Sequence, residues 1–426
     1  MDFYQIDGGV PLCGEYRVKG AKNAALPIMA AAVCSPGIHT LYDCPRIGDV
    51  FAMEEILTEL GAKTLWEEDA LTIDTRSIAK TEVPKKLMEE MRSSVFLLGS
   101  LLARCGEAKI YPPGGCRIGK RPIDMHLEGL AQLGFEVQSS EEEVICRGRC
   151  RGGRILLPYP SVGATENLMM AALAGEGDTI LENCAAEPEI ADLAGFLRTC
   201  GFRVYGGGTG TILVRGAGSG PDAPGHEERK PETLYFISED RIEAATYLMA
   251  ALGTGGSVLL RNIRPELLKE VLQTMERMGA EIRSFDDMIQ LRSPKRLKSP
   301  GIVITQPYPG FPTDCQPQLM TLAAAASGLT TIREEIFESR FTHKKELEKM
   351  GADIEICGKN AIIKGIHRLQ GNEVLALDLR GGAALVIAGL MAEGRTYIRG
   401  IEHIDRGYEE LHKGIRELGG LIERRT

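Results

Sequence analysis

The amino-acid sequence predicts an α/β protein of two domains, each assembled from three similar units. Three observations lead to this fold class. A short apolar helix, a glycine and a strand recur six times along the 426 residues. Each copy is followed by an amphipathic helix that ends near a glycine and then by a pair of alternating strands. Between the third and fourth copies lies Gly216–Thr233, whose glycine, proline and charged residues are typical of a linker or an exposed loop.

The apolar helices of the repeat are recognised by their alanine, leucine and methionine content. The six copies read LPIMAAAVCSPGIHTLYDC, FLLGSLLARCGEAKIYPPG, NLMMAALAGEGDTILENC, TYLMAALGTGGSVLLRNI, LMTLAAAASGLTTIREEI and LVIAGLMAEGRTYIRGI. Their turn glycines, about 70 residues apart, are Gly37, Gly106, Gly177, Gly256, Gly328 and Gly394. These helices are apolar on nearly every side, so we expect them to be buried. One unit is too small to bury its own faces, which predicts three units around the core of each domain.

The amphipathic helix of each unit is followed by a glycine that suits the left-handed conformation of a helix end. Five copies and a truncated sixth carry it: ELGAKTLWEEDALTID, QLGFEVQSSEEEVICRG, CGFRVYGGGTGTILVRG, RMGAEIRSFDDMIQLRS, KMGADIEICGKNAIIKG and ELGGLIERRT. Glycine enters the left-handed region without steric cost. We therefore expect a helix to end at each of these glycines and strands to follow it.

The composition is that of an ordinary globular protein, with 43% hydrophobic and 26% charged residues. The formal net charge of −9 argues against a nucleic-acid-binding surface, and no apolar run is long enough to span a membrane. We expect a cytoplasmic protein, because the first residues carry no apolar signal region and the eleven cysteines are odd in number and scattered. An acidic chain that is poor in aromatic residues also favours a monomer.

The sequence predicts neither a cofactor nor a metal site. Cys146 and Cys150 are closely spaced, but no histidine lies near them in sequence to complete a ligand set. The glycine runs Gly206–Gly210 and Gly216–Gly220 lack the other residues of phosphate-binding loops and are interpreted as turns.

Basic and polar residues cluster just before the buried helices. They are Lys22, Asn23, Arg92, Ser161, Val162, Gly163, Arg241, Asp314 and Arg380. A helix N-terminus carries partial positive charge and unpaired N–H groups, so that it attracts anions. Any single one of these residues is readily explained as a solvated helix end. Their recurrence at the same place in several units predicts instead a site for a small polyanionic molecule.

The segment Pro112–His126, PPGGCRIGKRPIDMH, is predicted to be a mobile loop because proline and glycine disfavour helix and strand interiors. It places Cys116 among Arg117, Lys120 and Arg121. Neighbouring cations favour the thiolate and lower the pKa of a cysteine from its ordinary value of about 8.5. Cys116 is therefore either a nucleophile or proton donor, or an inert loop cysteine. Most of the other cysteines lie in apolar helices or strands and are interpreted as small core residues.

Asp314 lies in the proline-rich turn PYPGFPTDCQPQ, which leads into an apolar helix. Its carboxylate is either a helix N-cap or a general base toward a substrate hydroxyl. Arg340 and His343 follow in EIFESRFTHKKEL. Nearer the C-terminus, DLRGG and HIDRGYEE each place an aspartate beside an arginine, either as an ion pair or for capture of a carboxylate or phosphate. These neighbours are Asp378 with Arg380 and Asp405 with Arg406.

Over essentially its whole length, the chain resembles the UDP-N-acetylglucosamine 1-carboxyvinyltransferase family of enolpyruvyl transferases. The resemblance is carried, in order, by GAKNAALPIMAA, MRSSVFLLGSLLAR, PGGCRIGKRPIDMHLEGL, SVGATENLMMAA, ENCAAEPEI, FPTDCQPQ, FESRFTH, DLRGGAALVIAGL and HIDRGYEE. The cysteine loop is highly specific, because the sister enzyme 5-enolpyruvylshikimate-3-phosphate synthase lacks it.

The resemblance implies the enolpyruvyl-transferase fold, an inside-out α/β barrel with three βαβαββ-type repeats around buried helices in each domain. The implied domains are residues 22–229, with the cysteine loop, and residues 1–21 plus 230–426, with the active site in the cleft between them. The implied reaction transfers the enolpyruvyl group of phosphoenolpyruvate to the 3′-hydroxyl of UDP-N-acetylglucosamine and releases phosphate through a tetrahedral ketal. This is the first committed step of peptidoglycan synthesis.

The resemblance also implies the roles of individual residues. Cys116 would protonate C3 of phosphoenolpyruvate and be the target of fosfomycin, and Asp314 would be the base for the 3′-hydroxyl, with Lys22 and Arg406 completing the catalytic set. The residues implied for phosphoenolpyruvate are Lys22, Asn23, Cys116, Arg121, Arg380 and Arg406. Those implied for UDP-N-acetylglucosamine are Arg92, Arg121, Pro122, Ile123, Asp124, Met125, Ser161, Val162, Gly163, Asp314, Ile336 and Arg340. Glu187 and Glu189 would have a supporting role.

Two other functions stay open at this point. One is carboxyvinyl transfer to a different acceptor, such as shikimate 3-phosphate, against which the Cys116 loop argues. The other is a non-catalytic paralogue that binds UDP-sugars as a sensor, against which the complete set of Lys22, Cys116, Asp314 and Arg406 argues. One departure from the family pattern lies near this set: Gly381–Gly382 follows Arg380 where many members have Ala-Ser, which would loosen that turn.

Overall fold

A computed structural model describes residues 2–111, 123–216 and 230–426, and these fall into two compact units. The discontinuous unit contains the residues up to Lys19 together with Glu239–Thr426. The continuous unit contains most of the chain in between, from Gly20 to Ser238. No helix among the described residues is long and apolar enough to cross a lipid bilayer.

The strands are short, as expected for small sheets. In chain order they are β1 (Phe3–Asp7), β2 (Cys13–Arg17), β3 (Ile38–Tyr42), β4 (Lys63–Glu67), β5 (Ala70–Asp74), β6 (Glu107–Ile110), β7 (Glu136–Ser139), β8 (Val144–Arg147), β9 (Gly153–Leu156), β10 (Thr179–Glu182), β11 (Arg203–Tyr205), β12 (Thr211–Arg215), β13 (Glu232–Phe236), β14 (Ser257–Arg261), β15 (Glu281–Ser284), β16 (Met288–Arg292), β17 (Ile302–Ile304), β18 (Leu329–Arg333), β19 (Asp353–Cys357), β20 (Asn360–Lys364), β21 (Glu373–Leu375), β22 (Arg395–Arg399) and β23 (Leu421–Arg425).

The helices alternate between apolar and amphipathic, as the repeat predicts. In chain order they are α1 (Lys22–Ala32), α2 (Gly48–Leu60), α3 (Lys85–Glu90), α4 (Leu97–Cys105), α5 (Asp124–Gln132), α6 (Val162–Ala171), α7 (Pro188–Thr199), α8 (Arg241–Thr254), α9 (Lys269–Arg277), α10 (Gln316–Ala325), α11 (Lys344–Lys349), α12 (Leu379–Met391), α13 (Glu402–Asp405) and α14 (Leu411–Glu417). Short 3-10 turns occur at Arg92–Phe96, Ala172–Ala174, Pro265–Leu268 and Thr313–Cys315.

Among the described residues, each unit combines three small sheets with three buried apolar helices. In the continuous unit the sheets have the strand orders β13-β3-β5-β4, β6-β8-β7 and β11-β12-β10-β9, and α4 packs against both α1 and α6. In the discontinuous unit the orders are β21-β22-β1-β23, β15-β16-β14-β2 and β17-β18-β20-β19, and α8, α10 and α12 pack against one another. The predicted α/β class, with apolar helices buried on all sides, is confirmed.

The first and fourth repeats exchange their leading strands. Strand β2 precedes α1 in the chain but pairs in parallel with β14, whereas β13 precedes α8 but pairs in parallel with β3. The chain therefore passes between the units after a strand rather than before one. For this reason the division lies near residues 19 and 238, where the resemblance implies boundaries after residues 21 and 229, and residues 230–233 belong to the continuous unit.

The glycines after the amphipathic helices adopt the conformation expected of them. All six have positive φ values between 87° and 112°: Gly61, Gly134, Gly201, Gly279, Gly351 and Gly419. A side chain in this region is strained, so the residue type itself sets where these helices end. The sequence pattern thus fixes the length of the second helix in each repeat.

Candidate functional site

Asp314, Arg340 and Arg380 form one ionic cluster in the discontinuous unit. Arg340 Nη2 lies 2.5 Å from one carboxylate oxygen of Asp314, and Arg380 Nη2 lies 3.1 Å from the other. Arg340 Nε also donates to the carbonyl oxygen of Thr313 at 3.1 Å. The arginine side chains are only 2% and 4% exposed, whereas that of Asp314 is 26% exposed. A partly accessible carboxylate is therefore held between two buried cations.

Two sequence interpretations of these residues need correction. Cys315, not Asp314, occupies the N-cap position of α10, so the carboxylate of Asp314 does not have the predicted alternative role of a cap. Asp378 is not the ion-pair partner of Arg380: it is the N-cap of α12, and one of its oxygens accepts the N–H groups of Arg380 and Gly381. The cap fixes the start of α12 and with it the backbone position of Arg380.

His343 and Gly381, which lie beside Asp378, are also buried. Its second carboxylate oxygen accepts the hydroxyl of Thr342 at 2.8 Å. Next to Thr342, burial lowers the pKa of His343 to about 4, which keeps the imidazole neutral at physiological pH. An added methyl group on Gly381 would lie about 3.0 Å from Asp378 Oδ2 and 3.1 Å from the Cβ of His343. Glycine at this position therefore allows these side chains a close approach to α12.

Glu334 organises the loop that carries Ile336. Its carboxylate accepts the N–H groups of Ile336 and Phe337 at 2.9 and 3.1 Å, and the hydroxyl of Thr313 at 3.1 Å. Glu334 is buried, so these hydrogen bonds are stronger than they would be in water. Its role was not predicted from the sequence. Through it, the Ile336 loop is tied to the turn of Asp314.

The motif HIDRGYEE contributes one residue that the sequence interpretation passed over. Asp405 pairs with Arg424 at 2.9 Å rather than with its neighbour Arg406, which follows α13 as its C-cap residue. Tyr408 is buried, and the guanidinium carbon of Arg380 lies 5.4 Å from the centre of its ring. The motif thus supplies an aromatic surface to the ionic cluster.

In the continuous unit, Lys22 is the first residue of α1 rather than a residue before it. Its ammonium group lies 2.6 Å from a carboxylate oxygen of Asp49, and both side chains are largely buried. Asp49 lies in the first turn of α2, and its role was not predicted from the sequence. Asn23, the next residue of α1, is exposed. The ion pair fixes a cation at the start of a buried helix.

The predicted contacts Ser161, Val162 and Gly163 start α6, with Ser161 as a side-chain N-cap. Gly163 lies against the imidazole of His126, since an added methyl group would approach its Cε1 to 3.2 Å. His126 belongs to α5, the helix whose first residues are Asp124 and Met125; Ile123 is its N-cap. Two of the predicted groups, the start of α5 and the start of α6, are therefore adjacent.

Asn167 joins these helices to α4. Its side-chain oxygen accepts the N–H of Gly99 at 2.7 Å, and its amide nitrogen donates to the carbonyl oxygen of Val95 at 3.0 Å. The same nitrogen lies 2.8 Å from Nδ1 of His126. The two backbone partners fix the orientation of the amide, so Nδ1 of His126 must accept a hydrogen bond. The sequence signal was an asparagine within an apolar helix, because a buried amide is costly unless its polar atoms are hydrogen-bonded.

A buried carboxyl group lies one residue before Asn167. Burial raises the pKa of Glu166 well above its ordinary value, and the carboxylates of Glu189 and Glu187 raise it further. Among the described residues, neither side-chain oxygen of Glu166 has a hydrogen-bond partner. Burial without a hydrogen-bond partner therefore favours the neutral form of this carboxyl group. Glu187 is at the N-cap position of α7, and Glu189 is buried in its first turn.

Several predicted site residues lie outside what the structure describes. Cys116, Arg121 and Pro122 fall between the described ranges, and the side chain of Arg92 is not described. The ten described cysteines are free thiols, and burial raises the pKa of Cys146 to about 12. No cluster of three or more His, Cys, Asp or Glu side chains in the described ranges is arranged to hold a metal ion.

Comparison with known sequences gives relatives over the full chain. The profile of the family described as EPSP synthase (3-phosphoshikimate 1-carboxyvinyltransferase) matches residues 6–415. The UDP-N-acetylglucosamine 1-carboxyvinyltransferase 2 of Caldanaerobacter subterraneus is 45% identical over 425 residues, covering 100% of both chains. The UDP-N-acetylglucosamine 1-carboxyvinyltransferase of Thermodesulfovibrio yellowstonii is 43% identical with the same coverage.

Solved structures share the fold. The enolpyruvyl transferase NikO from Streptomyces tendae aligns with a TM-score of 0.87 at 24% sequence identity, covering 100% of this chain and 99% of the other. EPSP synthase from Acinetobacter baumannii aligns with a TM-score of 0.75 at 21% identity over all of both chains. These likenesses confirm the enolpyruvyl-transferase fold. From the full-length sequence matches, the chain belongs to the EPSP synthase family of enolpyruvyl transferases and, within it, to the UDP-N-acetylglucosamine 1-carboxyvinyltransferases.

Proposed function

We propose that this enzyme transfers the enolpyruvyl group of phosphoenolpyruvate to the 3′-hydroxyl of UDP-N-acetylglucosamine and releases phosphate. The observation that carries the proposal is the 43–45% identity, over the complete chain, to enzymes named for this acceptor. The reaction is the first committed step of peptidoglycan synthesis, so the protein would act in cell-wall formation. The proposal includes a cytoplasmic location, which cell fractionation would test, and a monomer, which sedimentation of the purified protein would test.

The ionic cluster of the discontinuous unit supports a role for Asp314 as the base. A base needs a carboxylate that can reach the substrate, and the side chain of Asp314 is about a quarter exposed. Arg340 and Arg380 hold both carboxylate oxygens, which fixes its orientation. Asp314 would take the proton of the 3′-hydroxyl as the oxygen attacks C2 of phosphoenolpyruvate.

The other steps of the proposed mechanism are a proton transfer to phosphoenolpyruvate and the binding of its two anionic groups. Cys116 would donate a proton to C3 of phosphoenolpyruvate, which turns C2 into a cationic centre and allows formation of the tetrahedral ketal. Loss of a proton from C3 and of phosphate from C2 then restores the double bond in the product. Lys22, Arg121 and Arg406 would hold the phosphate and Arg380 the carboxylate, because fixed cations stabilise these anions without reorganisation.

The adjacent helix starts of the continuous unit support a binding role toward the nucleotide sugar. Asp124 and Met125 start α5, and Ser161–Gly163 start α6, where unpaired N–H groups attract anions. With Ile123, Pro122, Arg121 and Arg92 they would contact UDP-N-acetylglucosamine. Asn23, Ile336 and Arg340 would complete the contacts around the sugar and phosphoenolpyruvate.

Phosphate release from phosphoenolpyruvate tests the proposal directly. The purified full-length protein is assayed with UDP-N-acetylglucosamine and, in parallel, with shikimate 3-phosphate. We expect release with the UDP-sugar and none with the shikimate ester. Release with the shikimate ester instead would assign the other acceptor, and a folded protein that binds UDP-N-acetylglucosamine without release would be the non-catalytic sensor.

A further inference from the structure

Tyr408 lies beneath Arg380 in the interior of the discontinuous unit. The tyrosine is 2% exposed, and the guanidinium carbon of Arg380 lies 5.4 Å from the centre of its ring, within the range of a cation–π contact. Burial lowers the pKa of Arg380, but the Tyr408 hydroxyl and the carboxylates of Asp314 and Asp240 raise it above its ordinary value. The arginine therefore remains charged although it is buried.

Thr246 and Gln318 hold the hydroxyl of Tyr408 in one orientation. Thr246 Oγ1 donates its hydrogen to the carbonyl oxygen of Ile242 at 2.8 Å, one turn earlier in α8. The 2.9 Å contact between Thr246 Oγ1 and the Tyr408 hydroxyl must then be donated by the tyrosine. Gln318 Nε2 donates to both oxygens, at 3.2 Å to Thr246 and at 3.4 Å to Tyr408.

These hydrogen bonds determine which way the Tyr408 hydroxyl donates. Because the hydrogen of Tyr408 points to Thr246, the remaining lone pair of its oxygen can only accept. An acceptor is the partner that a guanidinium needs, since arginine has donors alone. In the part of the chain that the structure describes, Nη1 of Arg380 is buried and has no hydrogen-bond partner, while Nη2 is bound to Asp314.

We propose that Tyr408, oriented by Thr246 and Gln318, is a positioning residue that fixes the guanidinium of Arg380 so that Nη1 is directed to the anionic substrate. This inference rests on the proposed function, in which Arg380 binds the carboxylate of phosphoenolpyruvate. Tyr408 acts through Arg380 and does not itself contact the substrate. The threonine and the glutamine act one step further away, through the tyrosine.

The test compares tyrosine variants in the phosphate-release assay. For Tyr408→Phe we expect the KM for phosphoenolpyruvate to rise about tenfold, while the KM for UDP-N-acetylglucosamine stays within about twofold, because the guanidinium of Arg380 loses the neutral acceptor beside it. Tyr16→Phe is the matched control. Tyr16 is also buried in this unit, but its hydroxyl donates to Glu243 at 3.0 Å. We expect both KM values of this control to match the wild type.

Thr246 provides a rescue that a merely structural role would not show. Thr246→Val keeps the shape of the side chain but removes the oxygen that accepts the Tyr408 hydrogen. This variant should raise the KM for phosphoenolpyruvate as Tyr408→Phe does. Thr246→Ser keeps that oxygen and should have the KM of the wild type. An unchanged KM in Tyr408→Phe, an equal rise of both KM values, or a serine variant that behaves like the valine variant would each overturn the inference.

A wild-type enzyme without turnover would contradict the proposed function rather than this inference. In that case calorimetric titration with phosphoenolpyruvate alone provides the readout. The expected result is binding that is about tenfold weaker in Tyr408→Phe than in the wild type and in Tyr16→Phe. Equal affinities in all three proteins would overturn the positioning role.

Discussion

Asp314 and Arg340 meet in a 2.5 Å ion pair although 26 residues separate them in the sequence. The arginine is bound a second time, through Nε, to the carbonyl oxygen of Thr313, the residue before the aspartate. The two hydrogen bonds use different nitrogens of the rigid guanidinium fork. Arg340 therefore orients both the carboxylate and the backbone turn that carries it.

Replacing Arg340 by lysine tests this double contact. Lysine keeps the charge but presents a single ammonium group, which cannot hold the carboxylate and the carbonyl in one fixed geometry. We expect kcat to fall by roughly ten- to a hundredfold, measured as phosphate release. Arg333→Lys is the control, because this arginine is about half exposed and pairs with Glu335 at the surface. A kcat for Arg340→Lys equal to that of the control would contradict the orienting role.

Asn167→Ala should weaken the continuous unit. The change leaves the N–H of Gly99 and the carbonyl of Val95 buried without a side-chain partner and removes the contact to His126. We expect the free energy of unfolding to fall by about 3–5 kcal/mol, measured by denaturant titration. The KM for UDP-N-acetylglucosamine should rise as well, because the starts of α5 and α6 lose their common anchor. Asn360→Ala, at a half-buried asparagine of β20 whose side chain donates a single hydrogen bond at 3.4 Å to the carbonyl oxygen of Cys357, should change both quantities far less.

Glu243 makes the stability of the discontinuous unit depend on pH. Burial, followed by the charge of Asp240, raises the pKa of this carboxyl from 4.5 to about 8. Between these values the folded protein holds a proton that the unfolded chain has lost, so the free energy of unfolding falls as pH rises through this window. Below pH 4.5 the carboxyl is protonated in both states, and its effect on the pH dependence ends.

The variant Glu243→Gln isolates this effect. Glutamine can still accept the N–H of Lys19 and can donate to the hydroxyl of Tyr16, the two groups that Glu243 contacts. Relative to the wild type, the free energy of unfolding of the variant should rise steadily between about pH 5 and pH 8, by up to about 1.4 kcal/mol for each pH unit. Denaturant titration of both proteins at several pH values gives the difference. Two curves that stay parallel over this range would show that Glu243 is ionised in the folded protein.

The proposed role of Cys116 predicts a simple pattern of inhibition. Cys116→Ala removes the proton donor. The rate of phosphate release at neutral pH should therefore fall by at least about a hundredfold. Cys116→Asp keeps a group that can carry a proton but has no thiol for fosfomycin to alkylate. We expect this variant to turn over and to resist fosfomycin. Wild-type phosphate release that fosfomycin leaves unchanged would remove the proposed role of the thiol.

Much of the fold follows from local sequence patterns. The apolar helices were predicted to be buried because they carry no polar face, and α8 is buried from Arg241 to Leu252. The glycines of positive φ were predicted because only glycine adopts this conformation without strain. Both signals depend on a few consecutive residues. The exchange of β2 and β13 between the first and fourth repeats leaves no such local trace, and the repeat pattern alone does not predict it.

The candidate site was predictable only in part, because its contacts join residues that are distant in the sequence. The sequence marks Asp314, Arg340 and Arg380 as polar residues beside apolar helices, but it does not show that one carboxylate binds both arginines. Asp49, Glu334 and Asn167 gave weaker signals, because a buried polar residue is recognised by its partners, and these are distant in the sequence. The partners of Cys116 remain a prediction, since its loop lies outside the described residues.

The pairing of β1 has a consequence for how the protein is made. This strand lies between β22 and β23, so both of its neighbours are synthesised long after it. The continuous unit is complete once Ser238 has been synthesised and is free to fold first. Strand β1 has neither of its partner strands until Arg395–Arg399 has been synthesised. A nascent chain stalled shortly before Leu421 would still lack one of the two strands that cover β1, and its N-terminal segment would be the part most open to proteases and chaperones.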